Sequence, residues 1–419
     1  MSDKKRLFEN FLSLATLQGL NYILPLLTLP YLVRVLGPDN YGLVAFAQSF
    51  IQFFIILVDY GFNLSATNQI AIYRDNKKRV QSIFSTVMTI KLFFMIISFF
   101  ILCLLILLFP KFQNHKLVYL VTFGMVIGNV LFPIWFFQGI EKMRYITILN
   151  IIAKTIFTIG IFLLVKQRND ILFVPLLNSL GTILVGFISL GMIKRTFGVN
   201  FVYPSWSDIK YQLKEGWHVF ISTVAISLYT VSNTFILGLF TNNTVVGYYA
   251  SAEKIINAAT GIINPISQAI YPYISRLMSE SREKGLIFIK KILLIVGGCT
   301  FLISLMIFVL TENIIDIALG DNYKQSIIVL KIIAFLPFII GLSNIFGIQT
   351  MLNLGYKKAF SNILMLASIL NVFLAIILVP AFKHIGTAFG VTISEFFVTL
   401  TMFMYLHSKG IKLLEGKHV

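Results

Sequence analysis

IFSTVMTIKLFFMIISFFILCLLILLF, running from Ile83 to Phe109, holds a single charged side chain, Lys91, in an otherwise apolar stretch. At 1.5 Å of rise per residue a helix of this length is about 40 Å long, enough to cross the roughly 30 Å of hydrocarbon in a bilayer. Lipid offers no water to unpaired backbone groups, so such a run must close its hydrogen bonds internally as a helix. Eleven other runs pass the same test. The expected spans are 8–33, 40–62, 83–109, 116–138, 144–165, 171–193, 215–239, 244–275, 288–310, 325–352, 358–380 and 386–407. The fold class is therefore an all-α polytopic membrane protein with twelve transmembrane helices.

Composition agrees. The chain is 57% hydrophobic and 12% charged, with 40 Phe and 17 Tyr, whereas soluble domains carry about 25% charged residues. The net charge of +17 would suggest nucleic acid in a soluble protein. Here the basic residues sit in short connections between apolar runs, and nucleic acid is excluded as a partner. Clusters such as Arg74, Lys77, Lys78 and Arg79, or Lys194, Arg195, Lys210 and Lys214, occupy alternate connections. They outnumber the basic residues of the intervening connections by roughly three to one, which predicts both termini on the cytoplasmic side. MSDKKR followed by a long apolar run without a small-residue cleavage site reads as a retained first helix.

The chain echoes itself near its midpoint. NYGLVAFAQ from Asn40 aligns with VVGYYASAE from Val245, matching Gly42, Ala45 and Ala47 with Gly247, Ala250 and Ala252 and setting Gln48 on Glu253. GIEKMRY from Gly139 pairs with GYKKAF from Gly355. Two parallel six-helix lobes around a central cavity are expected, 1–193 and 215–419, joined by a cytoplasmic linker, 194–214. Pro133, Pro272 and Pro337 fall inside runs, where they either bend a helix around a cavity or kink it against lipid. Two GxxxG strings, Gly124 to Gly128 and Gly386 to Gly390, read as helix packing.

No phosphate loop, HExxH or CxxC occurs, and Cys103 and Cys299 both lie in apolar runs. No catalytic residue, metal set or cofactor is expected. The five histidines, His115, His218, His384, His407 and His418, read as interfacial. Charges inside spans carry more information, because each costs at least about 2.5 kcal/mol at the bilayer centre and usually faces a cavity. Lys154, Glu253, Lys254 and Glu395 lie roughly 13 to 15 Å deep. Lys91 and Lys331 are nearer span ends, where snorkelling and a cavity role both remain open. Asp59 and Arg34, at opposite ends of the first hairpin, read as interfacial anchors. Amides including Gln18, Asn21, Gln48, Asn129, Asn150, Gln349 and Asn371 suit either interhelical hydrogen bonds or a lumen that passes sugar hydroxyls. Tyr22, Tyr229, Tyr248 and Tyr249 could add faces with a polar tip.

These residues resemble a known family. LPLLTLPYLVRVLGPDNYG from Leu24, LVDYGFNLSATNQIA from Leu57, FPIWFFQGIEKMRY from Phe132, GWHVFISTVAISLYT from Gly216, INPISQAIYPYIS from Ile263 and IFGIQTMLNLGYKK from Ile345 are similar to Wzx-type O-antigen flippases of the multidrug/oligosaccharidyl-lipid/polysaccharide exporter superfamily. The resemblance implies helices 1, 2, 7 and 8 bordering the cavity. It implies that an undecaprenyl-pyrophosphate-linked oligosaccharide moves from the cytoplasmic to the periplasmic leaflet of a bacterial inner membrane. The O-antigen polymerase and the chain-length regulator would be partners, beside the membrane lipids. On that basis Arg34 joins Gln48, Lys91, Lys154, Glu253, Lys254, Lys331 and Glu395 as candidate substrate or cavity residues. The alternatives are a multidrug exporter of the same superfamily and a membrane O-antigen polymerase or glycosyltransferase.

Overall fold

A computed structural model describes residues 3–261, 263–411 and 413, and among these the regular structure is entirely helical. Side chains are described at 19, from 24 to 228, from 230 to 261, 263 to 268, 270 to 411 and at 413. The chain is multi-pass. Among the described residues eight helices are long and apolar enough to cross a membrane, or nine if the bent pair Trp206–Leu228 and Ser232–Phe240 counts as one span.

Two of the longest helices contain more than one expected run. Asp3–Asp59 is broken at Gly37 (φ 74, ψ 172), and Lys357–Ser408 at Lys383 (φ 51, ψ −128). A continuous helix of 52 residues would be about 78 Å long, more than twice the hydrocarbon thickness. The run expected at 244–275 is represented by Asn243–Gly261 and Ile263–Glu280, the first of which carries Glu253 and Lys254.

Two of the three prolines stand at breaks between helices. Pro133 lies between Gly124–Leu131 and Ile134–Gly139, and Pro337 stands in the first turn of Leu336–Asn344, where a missing N–H is tolerated. Pro272 lies inside Ile263–Glu280.

The chain divides into two compact units. The first comprises the chain up to Leu24 with Val35–Ser227, and the second comprises Pro25–Arg34 with Leu228–Val419. In the first unit, Gly124 and Gly128 face Phe173–Thr196, and a Cβ on Gly124 would lie 2.6 Å from that of Ser179. The GxxxG string is thus a close-packing seam, with Ser179 Oγ donating to the Val121 carbonyl at 2.8 Å. The first part of Trp206–Thr230 belongs to the same unit because Tyr60 stacks on Phe220 at 4.8 Å and Gly216 admits the Tyr60 backbone. In the second unit, Ile274, Leu293, Phe346, Ile363, Val398 and Met402 share one buried cluster.

The outward faces are apolar too. On Lys77–Leu108, Phe93, Ile96, Phe100, Leu104 and Leu107 are all more than half exposed and recur at helical spacing. Such a stripe, intolerable in water, is the lipid face of this helix.

Candidate functional site

The polar interior is built from side chains that lie far apart in sequence. In the first unit Lys91 is 1% exposed, and its Nζ lies 2.8 Å from Asp59 Oδ1 and 3.1 Å from Asn129 Oδ1. Asn63 donates to the other Asp59 oxygen at 3.2 Å, and Asn129 does so at 3.5 Å. The chain turns sharply after Asp59, through Tyr60 (φ 43) and Gly61 (φ 76), which brings Asn63 back beside the carboxylate. Asp59 is therefore not a plain interfacial anchor. It is the counter-charge of Lys91, and a lysine so bonded has no need to snorkel.

Arg34 is exposed and donates to the carbonyls of Asp316, at 3.4 Å, and Ile317. Those carbonyls end the helix Thr311–Ala318, where partial negative charge collects and a cation is favoured. The contact lies within the second unit, to which Pro25–Arg34 belongs. Arg34 is thus an anchor of a different kind: it caps a helix.

Lys331 reaches Glu312 at 2.8 Å, with the two side chains 40% and 65% exposed. This hydrogen bond holds the Glu312 carboxyl below the ordinary carboxylate value. Lys331 thus ends on a partner that is itself exposed.

Glu253 is half-buried and accepts from Tyr249 Oη and Thr234 Oγ1, each at 3.1 Å. Two neutral donors thus hold the carboxylate, one a turn earlier on its own helix and one on Ser232–Phe240. Lys254 points about 100° away around the helix and is exposed. Gln48 and Lys154, in the first unit, and Glu395, in the second, are half-buried.

Lys91, Arg34 and Lys331 therefore take partners distant in sequence, whereas Glu253 takes one distant partner, Thr234, and one on its own helix, Tyr249. Asn129 and Tyr249 carried a signal as polar groups within apolar runs. Thr234 and Asn63 carried none. Other amides bond helices together within a unit: Gln349 donates to Ser267 Oγ at 2.8 Å, and Asn371 to Ser394 Oγ at 3.4 Å. Asn150 instead donates to the Ile146 carbonyl of its own helix at 2.9 Å. His384 is buried against protein, 8% exposed, with its ring 5.9 Å from that of Tyr248. The side chains of Gln18, Asn21, Tyr22 and Tyr229, and all of His418, lie outside the described residues.

Comparison with known proteins places this architecture. The family model "Polysaccharide biosynthesis protein" matches residues 7–278. A protein named "Putative O-antigen transporter" from Escherichia coli (strain K12) is 39% identical over 410 residues, covering 97% of this chain and 98% of that protein. One of the same name from Shigella dysenteriae is 30% identical over 396 residues, covering 94% and 98%. Among solved structures, the lipid II flippase MurJ in an inward closed conformation aligns with a TM-score of 0.69 at 15% identity, covering 96% of this chain and 87% of that one. An inward-facing multidrug resistance MATE transporter of the MOP superfamily aligns with a TM-score of 0.69 at 13% identity, covering 96% and 100%. At such identities these two likenesses speak for the fold alone. The helical multi-pass architecture, the family match over most of the chain and the full-length relatives agree, and the chain belongs to the polysaccharide biosynthesis protein family.

Proposed function

We propose that this protein is a flippase that moves undecaprenyl-pyrophosphate-linked O-antigen repeat units from the cytoplasmic to the periplasmic leaflet of a bacterial inner membrane by alternating access. The observation that carries the reading is the 39% identity, along 97% of the chain, with the Escherichia coli protein named "Putative O-antigen transporter". Each long helix broken at Gly37 or Lys383 counts as two crossings. With the bent pair, and with Asn243–Gly261 and Ile263–Glu280 taken together, the crossings number twelve. Both termini are then cytoplasmic, and the transport lobes are 1–193 and 215–419, joined by 194–214.

The chemistry follows from the cargo. A pyrophosphate bearing an oligosaccharide cannot leave water for hydrocarbon unaided, since even one charge at the bilayer centre is costly. A protein path must replace water with fixed polar groups. Lys254, exposed on Asn243–Gly261, and Lys154 supply positive charge for the phosphates, each as a compact point charge. Gln48 and the other interior amides offer donors and acceptors to sugar hydroxyls. No bond in the cargo is made or broken, so the protein acts as a transporter, with no catalytic residue or cofactor. Its product passes to the O-antigen polymerase and the chain-length regulator.

The test is a clean deletion in a strain with no substitute flippase. Lipid-linked repeat units should accumulate unpolymerised on the cytoplasmic leaflet, and plasmid-borne protein should restore long chains. Normal O-antigen length in the deletion strain would overturn the assignment.

A further inference from the structure

The connection at 197–205, between Phe173–Thr196 and Trp206–Thr230, is unlike others in the chain. Arg74–Asn76 and Lys166–Asp170 are polar, as water-facing turns are. By contrast, the stretch from Val199 reads VNFVYPSW, and its large side chains stand outward: Phe201 is 53% exposed, Tyr203 93% and Trp206 76%. The connection lies outside the apolar spans, so a hydrocarbon face does not account for it.

The segment is held in place from behind. Phe197 packs edge-on against Phe136 and Tyr145, each at 5.7 Å, and Val199 is buried. Val202 N–H donates to Ser85 Oγ at 2.9 Å, and Gln81 donates to the Gly198 carbonyl at 3.3 Å. These bonds fasten the extended backbone to the first turns of Lys77–Leu108. Ser205 then caps the next helix, accepting from the Asp208 N–H at 3.2 Å and donating to the Asp208 carboxylate at 2.8 Å. The aromatic side chains are thus presented by a fastened backbone.

The helix that follows continues the same surface. At 100° per residue, Trp206, Lys210, Lys214 and Trp217 fall within an arc of about 80°. All four are exposed, while Gln212 and Gly216 on the other side are buried. Lys194 and Arg195, exposed at the end of the preceding helix, and Lys77, whose ammonium lies beside Gly198, bring the basic side chains near the segment to five. Of the two acidic side chains, Asp208 is engaged by the Ser205 cap and Glu215 is exposed.

We propose that residues 199–217 form an interfacial anchor that docks on the anionic headgroup layer of the bilayer through which the protein passes. Amphipathic aromatic rings settle at headgroup depth, and interleaved lysines attract acidic lipid. The charge complementarity selects the membrane surface over an apolar partner, which the lysines would oppose. The inference depends on the spanning architecture and not on the cargo, so it stands or falls separately from the proposed flippase activity.

The experiment uses the full chain in lipid nanodiscs. Trp135 is buried, and Trp217 is common to both proteins, so subtracting the emission of Trp206→Phe from that of the wild type isolates Trp206. Lipids brominated near the headgroup should quench this share at least about twofold more than lipids brominated near the chain ends. In discs containing acidic lipid, Lys210→Glu with Lys214→Glu should weaken that quenching, and in purely zwitterionic discs it should not. A spin label on Tyr203→Cys, in a Cys103→Ser and Cys299→Ser background, gives an independent depth should Trp206→Phe perturb the helix. Free access of iodide to the Trp206 share, with no effect of either brominated lipid, would overturn the proposal and leave the surface to a soluble partner or a second copy. Equal quenching in acidic and zwitterionic discs, unmoved by the lysine substitutions, would overturn the selection of acidic headgroups.

Discussion

Lys91 Nζ sits 2.8 Å from Asp59 Oδ1, with both charges inside the first unit and Asn63 and Asn129 filling the remaining sites on the carboxylate. Such a pair costs its desolvation in advance, so what matters is what happens when one member is lost. Lys91→Ala strands a carboxylate in low dielectric and should destabilise the protein by about 3 to 5 kcal/mol. Membrane abundance and thermal stability in detergent should fall together. Lys91→Met with Asp59→Asn removes both charges and should recover most of the loss. A double variant no better than the single one would refute the pairing.

Glu253 and Lys254 should behave differently, because Tyr249 and Thr234 supply the hydrogen bonds to the carboxylate and would still do so with the lysine removed. Glu253→Gln keeps an acceptor for both donors and should leave abundance near wild type. Lys254→Ala should preserve abundance yet shorten O-antigen chains, with Lys254→Arg retaining more function because phosphate still meets a cation. Full-length O-antigen in Lys254→Ala would remove this residue from the substrate path.

Arg34 offers a local test. Its guanidinium neutralises the carbonyl end of Thr311–Ala318, a contribution of about 0.3 to 1 kcal/mol for an exposed cap. Arg34→Ala should therefore speed amide hydrogen exchange in the last turn of that helix, while Arg34→Lys slows it again in part. Unchanged exchange would mean that the cap contributes nothing.

The exposed Lys331 and Glu312 pair should matter little to folding, because solvent screens it. Lys331 holds the Glu312 carboxyl low, so the small contribution is fully present above the ordinary carboxylate value. It fades as pH falls through the lower folded value. Exchanging the two residues, Lys331→Glu with Glu312→Lys, should leave abundance unchanged. A large loss would show that one of them has a further partner.

The twelve-crossing path is checked by reporter fusions near Asp39, Lys111, Lys166, Asn242, Asp321 and Lys383, all expected on the periplasmic side. Cytoplasmic readout at two or more would break the topology.

Ile83–Phe109 was legible as a membrane helix, and so were the break at Pro133 and the packing seam at Gly124, because these are local properties. The length of an apolar run, a missing N–H and a missing Cβ each act within a turn or two of their own position. Whether Lys91 would snorkel, face a cavity or pair inside was not legible, since Asp59 lies 32 residues away. Arg34 and Ile317, 283 residues apart, pose the same problem on a larger scale. Hydropathy sums over neighbours along the chain and prices a charge in lipid. The choice of partner depends on which helices are brought side by side, and only the tertiary structure decides that.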